Sequence, residues 1–388
     1  MPSTPLASLD LIRDLVAFDT TSRNSNLELI HFVRDYLQRL DIPVTLVFNE
    51  DRSKANLFAT IGPTDRGGIL LSGHSDVVPV DGQSWDSDPF TLTERDGRFY
   101  GRGTADMKSF IAVALAFAPR FAAAPLTTPV HFAFSYDEEV GCVGVHTLLD
   151  HLKQAPVRPA LCIVGEPTNM QVITGHKGKL AVRCHVHGHS CHSSLAPHGV
   201  NAVEYAAEMI TYLRAMGRRI AQNGPFDPAY DVPYTTVHTG TIQGGTALNI
   251  VPAECSFDFE FRALAAQKPE DLLAELQDHA KRVLEPEMQR VAPETGFGWE
   301  ALTSAPGLEI DPSHELVTLA KRLAGQNHHS KVAFGTEAGL FQEVLDIPSI
   351  VCGPGDIEQA HKPNEFIERE QLVEAEAFMS NLLTAVTA

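Results

Sequence analysis

Ile69-Leu70-Leu71-Ser72-Gly73-His74-Ser75-Asp76 places a short apolar run directly before a glycine, a histidine and an acid. The run over 69–72 predicts a buried strand, so the histidine and the acid fall just past its C-terminal end. The pattern recurs. The run 130–135 leads into Tyr136-Asp137-Glu138-Glu139, 161–164 into Gly165-Glu166-Pro167, and 349–352 into a loop ending in His361. A fifth segment, Gly101-Arg102-Gly103-Thr104-Ala105-Asp106-Met107-Lys108, puts Asp106 at the start of a predicted helix. Helical stretches at 109–118 and 144–152 lie between the strands. Residues 8–40 carry apolar side chains at helical spacing, among them Leu11, Leu15, Ile30, Val33 and Leu37. Strands alternating with helices predict an α/β domain with a largely parallel, doubly wound sheet. Such sheets bind their ligands beyond the C-terminal ends of the strands.

The middle of the chain follows a different rule. Over 179–187, Val182, Cys184 and Val186 alternate with Arg183, His185 and His187, as in a half-buried strand. A helix over 202–216, strands over 235–243 and 254–262, a helix near 269–283 and a strand near 297–302 complete a β-α-β-β-α-β order. That order is ferredoxin-like. It predicts a second, α+β domain over 178–304, inserted into an α/β domain made of 1–177 and 305–388. The loop 223–233, with three prolines and a glycine, is expected to be an exposed excursion.

Composition narrows the function. The chain has 388 residues, enough for two domains, and 49 acidic against 30 basic side chains, a formal charge of −19. A surface of that sign is unsuited to phosphate backbones, so nucleic acid is not an expected partner. The longest apolar stretch, 110–118, is far below the roughly 20 residues of a membrane-spanning helix. Met1-Pro2-Ser3-Thr4-Pro5 does not read as the start of a leader. Six cysteines without a CxxC pair are expected to be reduced, which points to the cytosol.

Two histidines and several carboxylates thus converge on one sheet edge. Nitrogen with carboxylate oxygen suits zinc, cobalt or manganese better than calcium or magnesium. The absence of a thiolate argues against a structural zinc site.

Together, Gly73-His74-Ser75-Asp76-Val77-Val78-Pro79, the segment from Tyr100 to Lys108, Asp137-Glu138-Glu139, Gly165-Glu166-Pro167 and His361 resemble the dinuclear zinc peptidase and deacylase family. The family includes carboxypeptidase G, aminoacylase, the desuccinylase of succinyl-diaminopimelate and acetylornithine deacetylase. The resemblance spans nearly the whole chain. It implies a metal-binding α/β catalytic domain interrupted by a smaller dimerisation, or lid, domain. It also implies a homodimer and two divalent ions per chain, zinc or alternatively cobalt. His74, Asp106 and Glu166 would hold one ion, and Asp106, Glu139 and His361 the other. Asp76 would accept the second ring N–H of His74, and Glu138 would be the general base. In the inserted domain, His192 of Gly188-His189-Ser190-Cys191-His192-Ser193 would cross to the partner's site and stabilise the oxyanion. Asn249 and Arg262 match substrate-binding positions, Arg262 as a carboxylate clamp.

Within the family, Gly175-His176-Lys177-Gly178, Gly335-Thr336-Glu337-Ala338-Gly339 and the stretch from Cys352 to Glu365 are most similar to the acetylornithine deacetylase branch. The expected small-molecule substrate is therefore an N-acyl amino acid, N2-acetyl-L-ornithine, with Thr336 and Glu337 at its binding site. The desuccinylase branch has an arginine where this chain has Leu340. Acetylcitrulline, succinyl-diaminopimelate and dipeptides stay as alternatives.

Overall fold

Strands that are mostly apolar along their length need cover on both faces, and the four central runs have it. In the computed structural model, which describes residues 5–388, Val130–Ser135, Ile69–His74, Leu161–Pro167 and Ser349–Gly353 lie side by side in that order. Each pair is parallel. Ile69 and Leu71 point into a core with Phe110, Ile111, Phe117 and Phe121 of the helix Lys108–Ala123. Leu70, between them, points to the opposite face. Leu9–Val16 and Arg369–Thr387 pack on that same helix, while Val145–Lys153 and Ala338–Leu345 pack on each other.

The sheet is less parallel than its motifs suggest. Val44–Phe48 pairs antiparallel with Ala55–Ile61, which pairs antiparallel with Val130–Ser135. Ile173–His176 runs antiparallel to Ser349–Gly353. The parallel centre is four strands wide, and antiparallel strands flank it on both sides. Residues 8–40 form two helices, Leu9–Val16 and Leu27–Gln38. Asp106 precedes its helix, which starts at Lys108. The reading of the first residues as lacking a leader lies, for residues 1–4, outside the described residues.

The chain divides into two units, one of residues 1–175, 308–331 and 336–388, the other of 176–307 and 332–335. The second unit is a four-stranded antiparallel sheet in the order Thr236–Gly244, Glu254–Ala263, Gly178–His187, Gly296–Ala305. With helices Ala202–Asn223 and Pro269–His279 this is the ferredoxin-like topology. Val182, Cys184 and Val186 meet Phe257, Phe259 and Phe261 on its buried face. The helix from Ala202 runs past Met216 because its apolar spacing continues through Ile220. It is capped by the Asn201 side chain and ends at Gly224, whose φ of 74° closes it. Among the described residues no helix is long and apolar enough to cross a membrane. All six cysteines are free.

Candidate metal centre

The strand ends deliver their polar groups to one place. His74 is the last residue of Ile69–His74, and Glu166 lies at the end of Leu161–Pro167. His74 Nε2 is 3.0 Å from Asp106 Oδ1 and 3.7 Å from Glu166 Oε1. The other oxygen of Asp106 is 3.1 Å from His361 Nε2, which is also 3.1 Å from Glu139. Asp106 thus turns one oxygen to each histidine. His74, Glu138 and Glu166 form a group whose potential ligand atoms lie within 4.8 Å of one another, as do His74, Asp106 and Glu139. His74, Asp106 and Glu166 are buried, whereas the His361 side chain is 48% exposed.

The protonation pattern asks for a cation. His74 Nδ1 donates to the backbone carbonyl of Asp76 at 2.9 Å. In neutral imidazole the Nε2 lone pair would then point at two carboxylates, which is repulsive unless a positive charge lies between them. A proton on Nε2 is one such charge. Burial opposes it, but Asp106, Asp76 and Glu166 outweigh burial and raise the histidine well above its usual range. The carboxylates respond in kind. Burial, with help from Glu139, Glu337 and Asp106, pushes Glu138 up to about 8. Burial and Asp106 raise Glu166 well above the carboxylate range, and Glu139 moves in the same direction. Asp106 stays low despite its burial because His361 and His74 both hold it. The His361 imidazole, bonded to Asp106 and Glu139, rises to about 10. A nitrogen and carboxylate donor set of this kind fits two divalent cations.

Around these groups the contacts continue outward. The Asp76 carboxylate is 3.6 Å from His74 Nδ1, so the backbone carbonyl of the same residue, not the side chain, is the closer acceptor. The carboxylate instead accepts the N–H of Glu138 (3.0 Å), the N–H of Glu139 (3.3 Å) and the Ser22 hydroxyl (2.7 Å). It orients the acidic pair through the main chain. Thr336 and Glu337, expected at the substrate site, are buried. Thr336 Oγ1 accepts the N–H of Ala338, the first residue of the helix Ala338–Leu345. Burial lifts Glu337 to about 7 against the pull of Ser135 and His74.

Asp137 and His361 take the left-handed backbone region, with φ of 56° and 62°. Such conformations cost about 1–3 kcal/mol each and persist where neighbours hold them. Lys54, paired with Asp137 at 2.5 Å, is one such hold. Cys142 was not among the expected site residues. Its buried thiol donates to Glu138 Oε1 at 3.3 Å. The four-residue spacing in Glu138-Glu139-Val140-Gly141-Cys142 was the available signal.

In the second unit, His192 is exposed, and its Nδ1 accepts from the Ser194 N–H and lies 2.8 Å from Ser194 Oγ. Asn249 is exposed and takes the Ser193 N–H on its backbone carbonyl. Arg262 is engaged by Glu260, Nε to Oε1 at 3.0 Å and Nη2 to Oε2 at 3.2 Å.

Residues 70–385 match the family described as Peptidase family M20/M25/M40. An acetylornithine deacetylase of Proteus mirabilis is 36% identical over 383 residues, covering 97% of this chain and 95% of its own. Among solved structures, a metallo-carboxypeptidase of that family from Sulfolobus solfataricus is 18% identical with a TM-score of 0.76, over 98% of this chain and 99% of its own. A dinuclear metal-binding peptidase of the family from Bacillus subtilis is also 18% identical, with a TM-score of 0.67 over 98% and 97%.

Proposed function

The chain belongs to peptidase family M20/M25/M40, and on that premise we propose that it hydrolyses N2-acetyl-L-ornithine to L-ornithine and acetate, a step of arginine biosynthesis. It is a metal-dependent amidohydrolase. The observation that carries the substrate is the shared length and identity with relatives named acetylornithine deacetylase.

His74, Asp106 and Glu166 would hold one cation and Asp106, Glu139 and His361 the other, zinc preferred and cobalt able to replace it. Bound there, the pair would polarise the amide carbonyl and acidify a water to a pKa of about 7. Glu138 would take a proton from the attacking water as the water oxygen bonds to the carbonyl carbon. It returns the proton to the amine nitrogen as the C–N bond breaks. The Cys142 thiol occupies Glu138 Oε1, which leaves Oε2 for this transfer. Asp76 keeps the Glu138–Glu139 backbone in place.

His192 would donate to the developing oxyanion of the partner subunit in a homodimer. Its Nδ1 already accepts from Ser194, so the ring proton belongs on Nε2, the donor form an oxyanion requires. Arg262, on the strand Glu254–Ala263, would exchange Glu260 for the substrate carboxylate, with Asn249 as a second substrate contact. Six free cysteines support a cytosolic enzyme.

The test is a panel of N-acetylornithine, N-acetylcitrulline, N-succinyl-diaminopimelate and a dipeptide, assayed metal-free and with zinc or cobalt. The highest kcat/KM is expected for N-acetylornithine, and only with metal. A preference for the succinyl compound would move the chain to another branch of the family.

A further inference from the structure

Glu365 takes no part in the reaction described above, yet it is buried at the junction of three segments that carry it. Its Oε1 accepts the N–H of Ala105 (2.9 Å) and of Asp106 itself (3.1 Å). Its Oε2 receives Arg102 Nη1 at 2.6 Å, a pair in which both side chains are 1% exposed. Arg102 reaches on through Nη2 to Gln83 Oε1 (2.6 Å). Gln83 Nε2 in turn donates to the backbone carbonyl of His361 (3.0 Å). The Gly101 N–H closes the ring on the Glu365 carbonyl (3.0 Å). Asp106 and His361 are thereby tied to each other by a route that bypasses their own contact.

We propose that Glu365 is a positioning residue for the dinuclear centre. Its buried carboxylate, paired with Arg102, fixes the backbone of Asp106 against the loop of His361 and so sets the affinity of the second cation, the one that Asp106, Glu139 and His361 would hold. The proposal rests on the dinuclear reading above. Its chemistry is specific. Two N–H groups and a guanidinium all donate to one side chain, so that side chain must offer acceptors on both ends. A glutamine keeps the shape but turns an NH2 toward either the guanidinium or the two amides. Outer partners of metal ligands govern affinity by about 10–100-fold.

Metal-free protein is titrated with zinc against a chromophoric chelator, using the unsubstituted chain, Glu365→Gln and Arg102→Lys. The unsubstituted chain should bind two ions. Glu365→Gln should weaken the second by about 10–100-fold while the first changes by only a few-fold. Arg102→Lys keeps a cation beside Glu365 and should lose more thermal stability than second-ion affinity. If the unsubstituted chain binds fewer than two ions, the dinuclear reading itself fails. If it binds two and Glu365→Gln binds both with unchanged affinity, or loses both in step with lost stability, the positioning role is overturned. Should Glu365→Gln not fold, hydrogen exchange on the metal-free unsubstituted protein decides. The Ala105 and Asp106 amides are expected among the slowest to exchange, and rapid exchange at both would remove the clamp.

Discussion

In the α/β unit the candidate residues face one another, while in the inserted unit they face solvent or their own neighbours. His74, Asp106 and Glu166 are buried, with His74 Nε2 3.0 Å from Asp106 and 3.7 Å from Glu166, and the pKa values around them are displaced by that crowding. His192 and Asn249 are exposed, and Arg262 is already matched by Glu260. Burying several carboxylates together is costly unless a charge compensates it. The first cluster therefore carries a physical signature of its task within one chain. The second group carries none, and its proposed roles depend on a contact that a single chain does not contain.

The comparison can be broken at several points. The largest effect is expected from Glu138→Gln, which keeps size but cannot carry the proton. Turnover should fall about 10²–10⁴-fold with metal content still near that of the unsubstituted chain, as read by elemental analysis. His192→Ala should cost about 10²–10³-fold without loss of metal. A mixed dimer of His192→Ala with Glu138→Gln should regain activity at the one site that draws an intact residue from each chain. Mixed dimers that stay inactive would place His192 outside the partner's site, and the inserted unit would lose its proposed part in the chemistry. Glu139→Gln sharpens the contrast from the other side. It removes a direct ligand and should lower metal affinity by more than the about 10–100-fold that losing an outer partner costs, with activity recovered at high zinc. Equal metal loss in the two glutamate variants would erase the division of roles between them.

The smallest effect concerns stability. His131, buried on Val130–Ser135, is pushed by burial from 6.5 down to about 4. The native state thus resists a proton that the unfolded chain accepts. Stability is full above about pH 6.5 and falls as pH drops toward 4. Between pH 7 and 5 this one residue accounts for on the order of 2 kcal/mol. His131→Phe should flatten the pH dependence of urea unfolding by that amount, and an unchanged slope would show that the residue protonates equally in both states.

What was readable beforehand follows a physical line. Ile69-Leu70-Leu71 and Ser349-Ile350-Val351 announce buried strands because covered strands need apolar residues throughout. The ligands at their ends follow from that placement. Val44–Phe48 and Ile173–His176 were missed because strands at the sheet's flank are short or mixed in polarity and depend on partners elsewhere. The Arg102–Glu365 pair joins residues 263 apart in sequence. An arginine inside a glycine-rich loop gives no local hint of its partner.

The pairing of Ser349–Gly353 with Leu161–Pro167 has a consequence for how the protein is made. Ser349 lies opposite Cys162, so about 190 residues must leave the ribosome between the two strands. At roughly 5–20 residues per second that is a wait of about 10–40 s. The strand pairs of the inserted sheet lie wholly within that interval, so it can close first, while one edge of Leu161–Pro167 waits unpaired. His361 and Glu365 follow later still. A nascent chain halted before residue 349 would carry a finished insert, an open sheet edge able to pair with a neighbouring polysome product, and a half-built pocket in which His74 and the acids wait for His361 to close it.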